Sequence, residues 1–374
     1  MWSTLDRAMM ARAIQLAANG RYTTRPNPNV GCVIVNDAGE IVGEGWHQRA
    51  GGPHAEVHAL RMAGDKARGA TAYVTLEPCS HYGRTPPCAK ALIDNGLKRV
   101  VAAMTDPNPQ VAGRGLNMLK DAGIDVASGL LEAEARALNP GFLTRMERQR
   151  PYVRVKLAAS LDGKTALANG ESKWITGPAA RRDVQRLRAL SCAVITGIGS
   201  VLADDPSMNV RHSELGGLAE TLTEDALIQP LRVVVDSNCR MPLDAKLLSI
   251  ESPVLLVSCQ AYADDVKAKL PAHVACLQLP AVNGRVDLAA FINHLGTQHN
   301  QVLVEAGATL CGAFIEAGLA DELVLYQAPK ILGAHGRNLL NLPDYQHMSD
   351  IPQLTLSDRR QLGADTRMIF KIGE

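Results

Sequence analysis

His54, Glu56, Cys79 and Cys88 are the residues whose types and spacing best fit one piece of chemistry. A histidine with a glutamate two places on, then Pro78-Cys79 and a further cysteine, supplies three soft or borderline ligands and one acid, which is what a catalytic zinc requires. Three protein ligands leave a fourth position for water. Residues two apart on a helix point about 200° away from each other, so His54 and Glu56 cannot share a side face. The metal must therefore lie off the N-terminal end of a helix opening at His54, where free backbone N–H groups favour thiolate or hydroxide. Zinc lowers the pKa of bound water toward ~7, and a carboxylate beside it carries the proton to a departing amine. Glu56 takes that shuttle role; His54, Cys79 and Cys88 take the metal. A single His or Cys is usually a packing residue. The ordered combination, with Thr75-Leu76-Glu77 ending a strand just before Pro78, is what points to zinc.

One feature departs from the P-C-x-x-C spacing general to zinc deaminases: the insert Ser80 to Pro87 separates Cys79 from Cys88. It is polar and Pro-rich, and reads as a loop over the metal that could also grip substrate. His58 stands at i, i+4 from His54, but the glutamate is in the wrong place for a metalloprotease, so His58 reads as structural. A structural zinc closes its fourth position with protein, and only His81 offers such a ligand.

The elements that position these residues follow from the chain pattern. Asp6 to about Asn19 reads as an amphipathic helix, and Val30 to Val35 as a buried strand with Ile41 to Gly45 as its return. Gly51-Gly52-Pro53 delivers the chain to the metal helix. Strands at 72–76 and 100–104, helices at 88–94 and 115–121, and a short strand at 124–127 complete an α/β unit. The polar stretch from Glu132 to Arg150 reads as the join, its charge run as a solvated helix face. Beyond Pro151, strands near 153–158, 193–196, 232–235, 254–258 and 301–305 alternate with helices near 178–190, 263–270, 287–295 and 309–317. Such alternation means a mostly parallel sheet covered on both faces. Segments 321–327 and 367–372 read as late antiparallel strands at one edge.

With 374 residues, two domains are expected, bounded as 1–149 and 150–374. A net charge of +1 leaves no footprint for a polyanion, and 4% aromatics offer few platforms for stacking single strands, so nucleic acid is excluded as a partner. Small anionic substrates remain open, needing only a few local arginines. No signal pattern and no apolar run of ~18 residues is present, so a cytoplasmic protein without membrane contact is expected. The six cysteines besides Cys79 and Cys88 sit singly and read as reduced residues.

In the second half, glycine turns at Thr196-Gly197-Ile198-Gly199-Ser200 and Glu305-Ala306-Gly307-Ala308-Thr309 fall at carboxyl ends of strands, where such sheets bind ligands. Neither is a full dinucleotide fingerprint. A nucleotide site and a plain tight turn both remain open. Lys156 is either a site residue or a lysine reaching to solvent, and Arg188 and Arg211 could each pair with phosphate.

Together these residues resemble the bifunctional riboflavin-biosynthesis deaminase/reductases over nearly the whole chain. The resemblance is carried by Pro26 to Gly31, Gly51 to Glu56, Leu76 to Cys88, Lys156 to Gly163, Leu202 to Pro206 and Glu305 to Leu310. The long loop ending Thr85-Pro86-Pro87-Cys88 is characteristic of that family, which turns the spacing departure into support. The resemblance implies an α/β protein: an N-terminal cytidine-deaminase-like α/β/α domain plus a C-terminal dihydrofolate-reductase-like α/β domain. It implies Zn2+ on His54, Cys79 and Cys88, and hydrolytic deamination of 2,5-diamino-6-(5-phosphoribosylamino)pyrimidin-4-one. NADPH-dependent reduction of ribosyl to ribityl would follow, giving 5-amino-6-(5-phosphoribitylamino)uracil. It places Asn27, His47, His81, Arg84 and Asn108 on the first substrate, and NADPH near Ala158, Trp174, Ser200, Asp204, Asn238 and the run Gly307, Ala308, Thr309, Leu310, Cys311, Gly312 and Ala313. Ser172, Arg188, Met208, Arg211 and Glu305 would meet the second substrate, with Lys156 as a polar contact, and a homo-oligomer, dimer or tetramer, is implied. Two rival readings are a zinc deaminase for a free base, nucleoside or tRNA with a regulatory second half, and a nucleotide sensor with structural zinc.

Overall fold

The computed structural model describes residues 1–81, 86–109 and 111–373. The chain divides into two compact units, Met1–Gln149 and Arg150–Glu374. In the first, helices α1 (Thr4–Ala17), α2 (Ala55–Ala63), α3 (Cys88–Asp94), α4 (Arg114–Asp121), α5 (Glu132–Leu138) and α6 (Pro140–Arg148) cover strands β1 (Gly31–Val35), β2 (Ile41–Trp46), β3 (Thr71–Val74), β4 (Arg99–Ala102) and β5 (Asp125–Ser128). The sheet order is β2-β1-β3-β4-β5; β1 runs antiparallel to β2 and β3, and β3, β4 and β5 are parallel. Alternate residues of a strand face opposite sides. Cys32 and Ile34 accordingly join Ala59, Leu60, Leu92, Leu116 and Leu119 of α2, α3 and α4. Val33 and Val35 join Met10, Ala13, Leu16, Ala135 and Leu143 of α1, α5 and α6. Both faces are thus buried, which is why β1 reads as an unbroken apolar run.

Two details fix the elements under the candidate metal site. Ser3 and Asp6 form a capping box on α1, and the Asp6 carboxylate also accepts from the Tyr73 hydroxyl at 2.9 Å and from Arg99 Nη1 at 3.0 Å. On β2, Gly43 and Gly45 let α2 lie directly on the strand: a Cβ at these positions would come within 2.2 Å of the Ala59 carbonyl and 2.5 Å of the Ala55 carbonyl. No side chain fits between them.

Most of the stretch from Glu132 to Arg150, expected as a join, folds as α5 and α6; through Gln149 it belongs to the first unit, and Arg150 opens the second. The Asn139 side chain exchanges hydrogen bonds with the Asn29 backbone at 2.7 and 2.9 Å. Its buried apolar residues are so spread among charges that no apolar stripe shows.

The second unit begins with β6 (Tyr152–Ala159) and β7 (Lys164–Ala166), followed by α7 (Pro178–Leu190), β8 (Ala193–Gly197), α8 (Ile198–Asp204), β9 (Leu231–Val235), α9 (Lys246–Ser249), β10 (Val254–Ser258), α10 (Asp264–Lys267) and β11 (Val274–Gln278). It continues through β12 (Ala281–Val282), β13 (Arg285–Val286), α11 (Leu288–Gly296), β14 (Gln301–Val304), α12 (Ala308–Glu316), β15 (Glu322–Gln327), β16 (Arg337–Asn338), β17 (Leu354–Leu362) and β18 (Asp365–Ile372). The main sheet has the order β11-β10-β9-β8-β14-β6-β15-β18-β17. It is parallel from β11 to β15. Phe291 and Ile292 of α11 and Phe314 and Ile315 of α12 pack on one face. Val184 and Leu187 of α7, and Ile198 and Val201 of α8, pack in clusters with Val194, Val234 and Leu303 of the strands.

Three expectations need correction here. Strand β15 is interior and parallel to β6; only its partnership with β18 is antiparallel. The true edge is β17, whose mostly exposed residues carry no alternation to read. Helix α10 is a single turn, shorter than the 263–270 span. No described helix is long and apolar enough to cross a membrane. Arg232, fully buried on β9, has no carboxylate partner among the described residues; it donates to the carbonyls of Ser207, Leu247, Ile250 and Ser252, tying together the loops after α8 and α9. Burial pushes its pKa down to about 10.

Candidate active sites

His54 is the N-cap of α2, with extended backbone, Cys88 is the first residue of α3, and Cys79 lies in the turn after β3. One ligand atom from each lies within 4.8 Å of the other two. His54 Nδ1 is 3.2 Å from Cys88 Sγ and 3.7 Å from Cys79 Sγ. The Cys88 backbone N–H donates to Cys79 Sγ at 3.3 Å. Hydrogen bonding from Cys88, and next from His54, favours the thiolate on Cys79 and holds its pKa low. The group sits at the open end of α2, where the helix N-terminus favours negative charge.

Glu56, in the first turn of α2, is 3% exposed. Its Oε2 is buried with no hydrogen-bond partner among the described residues. Burial is the main influence on this carboxyl and raises its pKa. Two thiols, an imidazole and an unmatched carboxylate oxygen form a donor set that fits zinc with an acid at its side. His81 is exposed and outside the three-residue group. It closes no fourth position.

His47 is buried beside His54, the two rings edge-on with centroids 5.4 Å apart. Its Nδ1 is 3.0 Å from the Pro53 carbonyl, which can only accept, so Nδ1 carries the proton. Nε2 then accepts from the Asn27 amide at 3.1 Å. Burial keeps this imidazole neutral by lowering its pKa. His58 is not part of the metal group; its Nε2 is buried and unmatched among the described residues. Asn108 follows β4, its backbone N–H donating to Asp106 Oδ1 at 2.8 Å. Arg84 lies outside the described residues.

Sequence reading missed Glu77. Its carboxylate accepts from four backbone N–H groups: Asp106 at 3.1 Å, Gly113 at 2.9 Å, Gly115 at 2.8 Å and Leu116 at 3.3 Å. An acid at the end of an apolar strand was the available signal. Through Glu77 the Pro78-Cys79 turn is pinned to the loop after β4 and to the start of α4. Gly115 completes the fit, since a Cβ there would stand 1.9 Å from the Pro78 carbonyl oxygen. Gly115→Ala is expected to displace this turn, destabilise the first unit by about 1–3 kcal/mol and weaken metal retention. Thermal unfolding and zinc content after dialysis against a chelator measure both.

The second unit holds a cavity of about 1620 Å³ at the carboxyl ends of β6, β8, β9 and β14, the position where open α/β sheets bind ligands. Arg188 of α7 crosses to Glu305, with Nε at 2.7 Å from Oε1 and Nη2 at 3.1 Å from Oε2, and its Nη1 donates to the Asn209 carbonyl. Burial, the largest single influence, raises the Glu305 pKa, but the Arg188 charge and hydrogen bonds together with the Lys156 and Arg211 charges outweigh it and the net shift is downward. Lys156 lines the same wall, its Nζ 5.9 Å from the centre of the Tyr326 ring. Burial lowers the pKa of this lysine. Tyr326 is itself fixed by a hydroxyl bond to Asp183 at 2.7 Å.

Ala158, Ser172, Ser200, Asp204, Met208 and Asn238 also line the cavity, as do Gly307, Ala308, Thr309, Leu310 and Ala313 around the N-terminus of α12. Cys311 and Gly312 face away from it. Cys311 is fully buried with its thiol donating to the Ala306 carbonyl, and Gly312 packs against the Asn341 backbone. Trp174 is 64% exposed beneath the Arg181 guanidinium, outside the lining. Arg211 also stands outside, its fork occupied by Glu214 at 2.6 and 2.8 Å.

A zinc-type His/Cys/Cys centre in a five-stranded α/β/α unit, followed by a nine-stranded α/β unit with a ligand-sized cavity, defines a bifunctional deaminase/reductase. Residues 3–104 match the family of the cytidine and deoxycytidylate deaminase zinc-binding region, and residues 151–368 match the RibD C-terminal domain. The riboflavin biosynthesis protein RibD of Escherichia coli is 54% identical over 96% of this chain and 97% of its own. That of Haemophilus influenzae is 50% identical over 99% and 98%. Among solved structures, Acinetobacter baumannii RibD superposes with a TM-score of 0.90 at 47% identity, covering 99% of each chain. The diaminohydroxyphosphoribosylaminopyrimidine deaminase/5-amino-6-(5-phosphoribosylamino)uracil reductase of Thermotoga maritima does so at 0.84 and 33%, covering 98% of this chain and 99% of its own. The chain belongs to this family of bifunctional deaminase/reductases of riboflavin biosynthesis, with a cytidine-deaminase zinc-binding domain and a dihydrofolate-reductase-like domain, and its substrates are pyrimidine intermediates of that pathway.

Proposed function

We propose that residues 1–149 deaminate 2,5-diamino-6-(5-phosphoribosylamino)pyrimidin-4-one and that residues 150–374 then reduce its ribosyl group to ribityl with NADPH. The observation that carries this reading is the unmatched Glu56 Oε2 beside the His54, Cys79 and Cys88 group. His54, Cys79 and Cys88 would hold the zinc, which would supply Lewis-acid activation of water for attack on the amino-bearing ring carbon. Glu56 Oε2 takes the proton from water and delivers it to the nitrogen that leaves as ammonia. Asn27 and His47 hold the pyrimidine, with His47 fixed in one tautomer by Pro53. Asn108, His81 and Arg84 complete the substrate contacts in this assignment, Arg84 for the phosphate.

In the second unit Ala158, Ser200, Asp204, Asn238 and the 307–313 turn, with Trp174 at the margin, would hold NADPH, which would supply the hydride. Opening the ribosyl ring leaves a new hydroxyl, which requires a proton at the former ring oxygen. At this end of the cavity Lys156 can give it, because Arg188 and Glu305 are already committed to each other. Ser172, Met208, Arg188 and Glu305 shape the substrate end; Arg211 reaches the phosphate by releasing Glu214. The exposed edge strand β17, with Leu354 and Leu356 on its surface, supports pairing with a second copy. The eight free cysteines fit a reducing cytoplasm.

The test uses purified full-length chain with the diaminopyrimidinone substrate. Ammonia release without NADPH, and NADPH oxidation only after deamination, are expected. NADPH oxidation without prior ammonia release, or ammonia release from a zinc-free preparation, would overturn the assigned order or the metal's role.

A further inference from the structure

The cavity of the second unit has two chemically different ends. Lys156 of β6, Arg188 of α7 and Glu305 just after β14 mark one. The other lies at the end of β9, where Ser237, Asn238 and Arg240 meet the short hairpin of β12 and β13. From β6 to β9 is three strand steps, or about 14 Å. The Val286 N–H donates to Ser237 Oγ at 3.1 Å, so the hairpin is tied to the end of β9 and its residues share the wall with Arg240.

Within the hairpin Val282 stands directly opposite Arg285, and opposite residues of a two-stranded ribbon share a face. Val282 and Arg285 both line the cavity, beside Val286, which is itself buried. Val282 is 54% exposed, an apolar surface left open to the cavity. Arg285 and Arg240 are both exposed, and neither has an ion pair or side-chain hydrogen bond among the described residues. The nearby Asp287 offers neither of them a ready partner, since its carboxylate caps α11 by accepting from Ala289 and Ala290. Two uncommitted guanidinium forks beside an open apolar patch suit a flat base on Val282 and a phosphate monoester between the arginines.

We propose that Arg240 and Arg285 form the subsite for the 2′-phosphate on the adenosine half of the dinucleotide, with Val282 against the adenine, and that these residues select NADPH over NADH. The assignment rests on the reading that a nicotinamide dinucleotide occupies this cavity. It also orients that molecule: nicotinamide toward Lys156, pyrophosphate at the N-terminus of α12, and adenosine on the hairpin. Arg337, another cation of the cavity, lies on β16 against β7, and so gives an internal control of equal charge.

The test is calorimetric binding of NADPH and NADH to the full-length protein and to its Arg240→Met, Arg285→Met and Arg337→Met variants. Expected are tighter binding of NADPH than NADH by the parent protein, and a roughly 10- to 100-fold loss for NADPH on losing Arg240 or Arg285. NADH affinity should be unchanged in those two variants, and Arg337→Met should keep the full preference. Parallel weakening of both dinucleotides, no effect of either substitution, or the same loss in Arg337→Met would overturn the subsite while leaving the cofactor assignment standing. Binding of neither dinucleotide by the parent protein would overturn both.

Discussion

Glu56→Gln is expected to retain zinc, fold normally and lose deamination by a factor of about 10²–10⁴, while reduction of substrate already deaminated proceeds at the parent rate. The substitution keeps the volume and one oxygen of a side chain that is 3% exposed, so packing against the Cys32 face of the sheet is preserved. What it removes is a group able to accept a proton. The three ligand atoms come from His54, Cys79 and Cys88, none of which depends on Glu56 for its backbone position. Ammonia release, zinc-to-protein ratio and NADPH oxidation with the two substrates separate the possibilities. Normal ammonia release would remove Glu56 from the mechanism, whereas loss of zinc together with activity would make it a structural support of the metal.

The metal centre was legible because its residues are chemically rare and lie at element boundaries the sequence marks well. Pro53 precedes the N-cap, Pro78 precedes Cys79, and Pro87 is the N-cap of α3. Helices α3 and α7 read clearly because a terminal Pro or an apolar stripe shows in the chain itself. The support beneath the site was less visible. Glu77 matters through bonds to residues 29 to 39 positions away, and no local pattern announces such partners. The same holds for α5 and α6, whose contribution is a few apolar residues and the Asn139 pair with Asn29. In the second unit the strand alternation gave the parallel sheet, but not that β15 is inserted between β6 and β18, since pairing order is a long-range property. Helical phase explains the split within 307–313: one side of α12 faces the cavity, and Cys311 turns into the core. Arg211 is a different case, because the preference of its fork for Glu214 depends on a neighbour three residues on whose role the sequence leaves undetermined.

Arg188→Met is expected to abolish reduction and to cost about 3–5 kcal/mol of stability in the second unit, with deamination unaffected. The side chains of Arg188 and Glu305 are only 12% and 10% exposed, so the pair is largely out of water. Removing the cation leaves the Glu305 carboxylate with only the weaker influence of the Lys156 and Arg211 charges, neither of which replaces the two lost hydrogen bonds. The pKa of Glu305 should rise once the charge and hydrogen bonds of Arg188 no longer oppose burial, and Lys156 would be drawn toward it and away from the substrate. A double substitution separates stability from chemistry: Arg188→Met with Glu305→Leu removes both charges and should recover most of the lost stability, as buried pairs replaced by apolar residues do. Reduction should stay absent, because the cavity then has neither the fork nor the carboxylate whose charge acts on Lys156. Chemical denaturation, NADPH oxidation and ammonia release on the two variants give three independent readings. If the double variant regained stability and reduction together, the pair would be structural only, and Lys156 would act without it.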